Sequence, residues 1–312
     1  MDLRQLAALT AVADHRSFSG AARALHTVQS NVSTHIARLE RELGASLVDR
    51  TSGGLTEAGS IVVDRARRVL HELDALTADV ASSLGEVSGD VRLGVIGTTG
   101  RWLLPLVLDE VAATHPKVRV VTIDATTTSL VPQLASGSID LAVVNLPVED
   151  PDVDTEPLFV EEHVVVAPGS HKLARHEHLH LTDLADIPLL LEPVGTAFRD
   201  HLEIDADRAG VTLVAHAEVD GMRLLASLAH EGFGAAILPA SATIEGTDGT
   251  TRSIPLDGTS PRGVGLATPR RARPSTPATA VAEIIRQVVV EEAPKRYGLR
   301  VIAPEAEPDV AD

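Results

Sequence analysis

The chain has 312 residues, 44% hydrophobic and 23% charged, which is apolar enough for two or three cores and too apolar for a wholly disordered polymer. It contains no cysteine, which excludes a disulfide scaffold, a thiolate zinc site and a thiol nucleophile. The net charge is −17 but uneven: residues 1–70 carry nine Arg against seven acids, and residues 71–312 carry 18 basic against 37 acidic side chains. An acidic body that repels nucleic acid and an N-terminal unit that can approach it suggest two jobs in one chain. No run of about 18 apolar residues occurs, so no membrane span is expected. The polar start Met1-Asp2-Leu3-Arg4-Gln5 is unlike a signal peptide, and the expected compartment is the cytoplasm.

Residues 1–55 read as short helices. Asp2 and Gln5 fit a capping box ahead of Leu3, Leu6, Leu9 and Val12 on one face. Ser17 or Ser19 caps a second helix through Ala21, Ala22 and Leu25. A third helix has apolar positions Val28, Val32, Ile36, Leu39 and Leu43, spaced 4, 4, 3 and 4, and stops at Gly44. With that stripe buried, Gln29, Ser30, Ser33, Thr34, His35 and Arg38 point outward. A polar, mostly uncharged helix end suits base edges in a major groove: Gln pairs bidentately with adenine, and Ser or Thr reaches bases or phosphates. A plain solvated helix face would give the same pattern. Leu47–Arg50 reads as a short strand, followed by a tight turn at Ser52-Gly53-Gly54.

Thr56 and Glu57 open a long helix to about Leu84. Val62, Ala66, Val69, Leu73, Leu76 and Val80 repeat at 4, 3, 4, 3 and 4, a heptad seam. A helix of about 28 residues reaches ~42 Å and outruns the short unit before it. A second copy of the chain is the expected partner, although such a stripe can also cover a helix's own core.

From Asp90 strands and helices alternate: Val91–Ile96, Arg101–Thr114, Val118–Asp124, Ser129–Ser136, Leu141–Asn145, His163–Ala167, Leu189–Leu191, Thr196–Ala209, Leu213–Val219, Gly221–His230 and Ala235–Leu238. The alternation predicts parallel α/β sheets with helices on both faces, in two lobes. The acidic tail beyond Ala303 is expected to be disordered.

The segment Ser17-Phe18-Ser19-Gly20-Ala21-Ala22-Arg23-Ala24-Leu25-His26 resembles the scanning half of the helix-turn-helix of LysR-type regulators. Gln29-Ser30-Asn31-Val32-Ser33 resembles its recognition-helix start. Ile36, Leu39-Glu40, Glu42-Leu43-Gly44, Leu47, Arg50-Thr51 and Leu55-Thr56-Glu57-Ala58-Gly59 continue the signature in register. Val219-Asp220 and Gly232-Phe233-Gly234-Ala235-Ala236-Ile237-Leu238-Pro239 are similar to the family's second sensor lobe. The resemblance implies an α/β protein with a winged helix-turn-helix at 1–58 and a dimerising linker helix at 57–86. A periplasmic-binding-protein-like effector domain of two α/β lobes would follow at 89–302, with the acidic tail at 303–312. It also implies a transcription factor binding promoter DNA as a homodimer or dimer of dimers, with a small-molecule effector and no cofactor. Gln29, Ser30, Ser33 and Thr34 would contact DNA, with Arg38 and Arg50 near phosphates. The wing departs from many family members in being short and lacking a basic residue after Arg50-Thr51.

Three hydroxyl-rich segments follow predicted strands: Gly97-Thr98-Thr99-Gly100, Thr126-Thr127-Thr128-Ser129 and Gly195-Thr196-Ala197. Ordinary N-capping explains each alone. Together at strand ends they point to a cleft, which the resemblance identifies with the effector site: Thr98, Thr99, Thr127, Thr128, Asn145 and Thr196. Helix N-termini, with Arg101 or Arg199 nearby, favour a small organic anion. His176, His178 and His180 alternate as three imidazoles on one strand face would, but their Pro, Gly, Ser and Asp flanks favour a surface connection over a metal site. Phosphate-loop, nucleophile-elbow and zinc-helix motifs are absent. A solute-binding protein or a cleft enzyme is the rival reading.

Overall fold

The computed structural model describes residues 1–49, 53–243, 250–270 and 273–302. The N-terminal unit packs α1 (Leu3–His15), α2 (Phe18–Ala24) and α3 (Gln29–Leu43). Asp2 accepts the Gln5 N–H at 2.9 Å, and the Gln5 side chain accepts the Asp2 N–H at 2.8 Å, closing the predicted capping box. Leu9, Val32, Ile36 and Leu39 form the dry centre. Two ends of the predicted α3 stripe fall outside it: Val28 is the N-cap residue and 60% exposed, and Leu43 is 43% exposed. The wing begins with a bridge between Val48 and Leu55. Glu40 of α3 accepts the Leu47 N–H at 2.8 Å, fixing that strand to the helix.

The linker helix α4 (Glu57–Ser83) starts where Thr56 accepts the Gly59 N–H at 3.0 Å. The seam divides at its middle. Ala66 is buried and Val62 half-buried, both against the N-terminal core beside Val63. These two positions serve the chain's own core, because the first turns of α4 lie across α1. Val69, Leu73, Leu76 and Val80 are 45, 38, 61 and 55% exposed, and with Leu3 they line an open apolar groove of about 850 Å³.

The sensor follows as β1 (Ser88–Val95), α5 (Gly97–Thr114), β2 (Lys117–Asp124), α6 (Thr127–Ala135), β3 (Leu141–Leu146), β4 (Val153–Glu161), β5 (His163–Pro168), β6 (Leu179–His180), β7 (Pro188–Leu191), α7 (Ala197–Ala209), β8 (Val214–Glu218), α8 (Met222–His230), β9 (Ala236–Pro239), β10 (Thr251–Asp257), β11 (Arg262–Pro269), α9 (Thr276–Glu292) and β12 (Leu299–Val301). One sheet has the order β12-β4-β11-β3-β1-β2 and the other β6-β10-β5-β9-β7-β8. Both are mixed, not parallel. β1 lies parallel to β2 and β3, but β11 is antiparallel to β3 and β4, and β5 to β9 and β10. The strands that run against the rest are β11 and β12 in the first sheet and β5 in the second; β11, with Gly263 and Gly265, lacks a clean strand pattern. A register shift at Val264/Gly265 accommodates Pro157 opposite.

Two crossovers join the lobes among the described residues: Glu162 between β4 and β5, and residues 258–261 between β10 and β11. Among the described residues, no helix is long and apolar enough to cross a membrane.

Candidate functional site

On α3, Gln29, Ser30, Thr34 and Arg38 are exposed and Ser33 is half-buried. They share the outer face because Val32, Ile36 and Leu39 take the inner one at helical spacing. The Thr34 hydroxyl donates to the Ser30 carbonyl at 2.8 Å, so in this state it is turned back on its own helix. Arg50 lies outside the described residues, as does the tail at 303–312. Gly53 has φ +71 and donates its N–H to the Asp49 carbonyl at 2.8 Å, closing the turn of the wing.

The second group of candidate residues stands at the helix starts and strand ends of the two lobes. Here α5 and α6 start earlier than their apolar patterns predict. Gly100 N–H already bonds the Ile96 carbonyl at 2.8 Å, so Thr98 and Thr99 occupy the first helical turn. Thr98 is 4% and Thr99 0% exposed. The Thr99 hydroxyl and the Asn145 side-chain oxygen are buried without a hydrogen-bond partner among the described residues. Thr127 accepts the Asn145 N–H at 2.9 Å, joining the start of α6 to the end of β3. Thr128 does not join them. It is exposed and bonds Thr126 at 2.9 Å, where a helix start faces solvent. Thr196, on the other lobe, accepts the Arg199 N–H at 3.4 Å and donates to the Pro193 carbonyl at 2.9 Å, as an N-cap does.

The cations expected near these loops are arranged differently. Arg199 is 5% exposed and bonded to Glu203 at 2.5 Å and to the Glu192 carbonyl at 3.1 Å, so its charge is neutralised inside the second lobe. Arg262 takes the central position. It opens β11 directly opposite Glu161, the last residue of β4. Its side chain is 9% exposed and that of Glu161 is fully buried. Arg262 Nε donates to Glu161 Oε2 at 3.1 Å, and Nη2 donates to both Glu161 and, at 3.2 Å, the Thr98 hydroxyl. The other Glu161 oxygen accepts the Ser241 N–H. One guanidinium thus ties the hinge strands to the start of α5.

The second crossover is equally polar. His163 Nδ1 meets the Thr259 hydroxyl at 3.1 Å, and Asp205 of α7 accepts from Ser260 N–H and hydroxyl at 2.6 and 2.9 Å. Burial, with Arg262 close by, pushes the His163 imidazole down to about 4, so it is neutral at physiological pH. Burial also raises Glu192, across from Arg262, above the ordinary carboxylate range. Arg223 of α8 pairs with Asp124 at the end of β2, bridging the lobes. Gly97 makes room for it: a Cβ there would lie 2.4 Å from Arg223 Cδ.

Sequence reasoning passed over Glu161, His163, Glu192 and Arg262. Their signal is two buried charged residues about 100 positions apart, which no local pattern announces. Trp102 packs edge-on to Phe159 at 5.8 Å and Phe198 edge-on to His163 at 5.3 Å. His180 caps a short turn, its Nδ1 accepting the Thr182 N–H at 3.3 Å. Among the described residues, no three His, Asp or Glu are grouped to hold a metal ion.

Two family models match this arrangement. One, the bacterial regulatory helix-turn-helix protein of the lysR family, matches residues 3–60, and the LysR substrate binding domain matches residues 84–290. The chain belongs to the LysR family. It is 35% identical over 245 residues to the DNA-binding transcriptional dual regulator OxyR of Escherichia coli K12, covering 78% of this chain and 80% of that protein. Other relatives are named hydrogen peroxide-inducible genes activators, among them one from Mycobacterium avium, 35% identical over 76% of this chain and 77% of its own length. Full-length CbnR solved with its target DNA has a TM-score of 0.68 at 25% identity, covering 92% of this chain and 99% of that one. This LysR-family chain is thus a transcriptional regulator with an effector-binding domain, of the two-lobed α/β architecture.

Proposed function

We propose that this LysR-family regulator reads promoter DNA through Gln29, Ser30, Ser33 and Thr34 of α3, with Arg38 and Arg50 at phosphates. A small molecule bound between its lobes resets that contact. The proposed parts are the winged unit 1–58, the linker 57–86, the effector domain 89–302 and the tail 303–312, acting in the cytoplasm without catalysis of its own. The observation that carries the reading is the pairing of an outward polar helix over a dry core with two unpartnered buried oxygens, on Thr99 and Asn145, at the start of α5 and the end of β3. Buried polar atoms without partners are rare in finished protein interiors, and a ligand is one way to satisfy them.

The exposed stripe Val69, Leu73, Leu76 and Val80 supports a homodimer, or a dimer of dimers, with two copies placed for an inverted-repeat operator. Thr98, Thr99, Thr127 and Asn145 form the effector wall, Thr196 faces them from the second lobe, and Thr128 stands at the rim. A small organic anion would find the N-termini of α5 and α6 there, while Arg262, like Arg199, already holds a carboxylate, that of Glu161. With no cysteine, the chain cannot take a signal by thiol oxidation, so the effector is read by reversible binding, whatever the names of its peroxide-responsive relatives.

The test is a mobility shift on DNA flanking the gene, with and without candidate carboxylates. Specific retardation that a carboxylate alters supports the reading. No binding to any flanking DNA, at low salt, would sink it.

A further inference from the structure

The linker helix touches its own sensor at two polar points. Near its end, Asp79 accepts the Thr276 N–H and hydroxyl at 2.8 and 2.7 Å, capping α9 in an exposed setting. Midway, His71 Nε2 lies 3.0 Å from Asp140 Oδ1, with side chains 19% and 5% exposed. Asp140 is held rigidly. Its other oxygen accepts the Arg92 N–H at 2.6 Å, and its own N–H donates to the Arg92 carbonyl at 2.9 Å. The carboxylate is therefore aimed at α4 before α4 arrives.

We propose that His71 is a positioning residue that latches α4, and the DNA-reading unit it carries, to the first sensor lobe through Asp140. The proposal rests on the reading that α4 joins a DNA-binding unit to an effector cleft. Asp140 immediately precedes β3, and Asn145, on the cleft wall, lies near the other end of that strand. Five residues of strand span roughly 17 Å, so one stiff central strand connects the cleft to the latch. A shift of β3 on ligand binding would move the carboxylate that His71 holds.

The surroundings favour imidazolium. Arg68, Glu72 and Asp74 of its own helix, Asp90 and Arg92 of β1, and Asp152 before β4 line the two hollows beside His71, besides Asp140 itself. Five acids oppose two arginines. The bond to Asp140 raises the His71 pKa above its ordinary value, against partial burial, which lowers it. A group whose pKa rises on pairing strengthens the paired state below its free pKa and loses that strength as pH climbs through the raised value. The latch is closed at mildly acidic pH and loosens in alkali.

Because the chain has no cysteine, Arg41→Cys on α3 and Asp109→Cys on α5 supply two unique dye sites. Labelled chains diluted into excess unlabelled protein report intramolecular energy transfer without DNA or effector. The expected result is a narrow transfer distribution at pH 6 that broadens towards lower efficiency at pH 9. In His71→Phe it is broad at both values. His71→Gln, which keeps a donor of similar reach but cannot titrate, lies between and does not respond to pH. If His71→Phe fails to fold, the Gln variant and the parent's pH response decide. A parent distribution unchanged from pH 6 to 9, or a pH response surviving in His71→Gln, overturns the latch. Failure of the parent protein to bind DNA would overturn the functional reading while leaving this distance measurement intact.

Discussion

Helix α3 and the inter-lobe hinge place polar side chains in opposite ways. On α3 they lie over an apolar floor of Val32, Ile36 and Leu39, exposed except for the half-buried Ser33. At the crossovers between the lobes, Glu161 and His163 are buried and the Arg262 side chain is 9% exposed, each with a polar partner. The surface proposed to read DNA can be substituted with little effect on folding. The site proposed to take a small molecule inside the protein has to be folded around its polar groups. Substitutions should therefore separate function from stability on α3 and entangle them at the hinge.

The strongest challenge is Glu161→Ala. It leaves the Arg262 charge buried without its counter-charge, which typically costs about 3–5 kcal/mol, read as a fall in the urea midpoint of the sensor transition. A loss below about 1 kcal/mol would mean that the hinge tolerates polar change as α3 does. Acid comes next. His163 is neutral when folded, with a pKa of about 4, whereas an unfolded imidazole takes up a proton near 6.5. The unfolded state binds more protons in that window, so stability falls as pH drops from about 6.5 towards 4, by roughly 3 kcal/mol in total. His163→Gln should flatten that slope in a urea series; an equally steep slope would assign it to other groups.

On α3, Gln29→Ala should weaken specific operator binding by about 1–3 kcal/mol, relax the preference at one base pair, and leave the melting temperature unchanged. Equal weakening on specific and non-specific DNA would remove Gln29 from base reading. The smallest effect belongs to Thr127→Val, which removes the acceptor of the Asn145 N–H at about 1 kcal/mol in stability. It should also raise the half-maximal effector concentration in a DNA-binding titration. An unchanged half-maximal concentration would place the effector away from the start of α6.

The contrast also explains what could be read from sequence. The α3 face is legible because one helix supplies both the apolar stripe and the polar residues it turns outward. The long α4 is legible for the same reason, although periodicity cannot tell Ala66, packed on its own core, from Leu76, which is bare. Thr98, Thr99, Thr127 and Asn145, the proposed effector wall, are legible as candidates because each sits at a strand end or helix start. Thr128 shares their segment by adjacency alone, and one residue of helical rotation, about 100°, turns it to solvent. Arg262 and Glu161 are neighbours only because β4 and β11 pair. Pro157 and the glycines of β11 disguise both strands.

Gly59 sits where α4 passes over the wing. A Cβ there would fall 2.0 Å from the Leu47 carbonyl oxygen, so the helix backbone rests directly on the strand with no side chain between them. Thr56 adds its N–H to the Leu47 carbonyl and its hydroxyl to the Ser46 carbonyl, at 3.0 and 2.7 Å. A joint made of backbone on backbone has almost no slack, since there are no rotamers in it to absorb a twist. Any roll of α4 about its long axis must then be delivered to the wing as the same roll, like a key and its bit, and the angle at which the two α3 helices of a dimer meet DNA would change by the full amount.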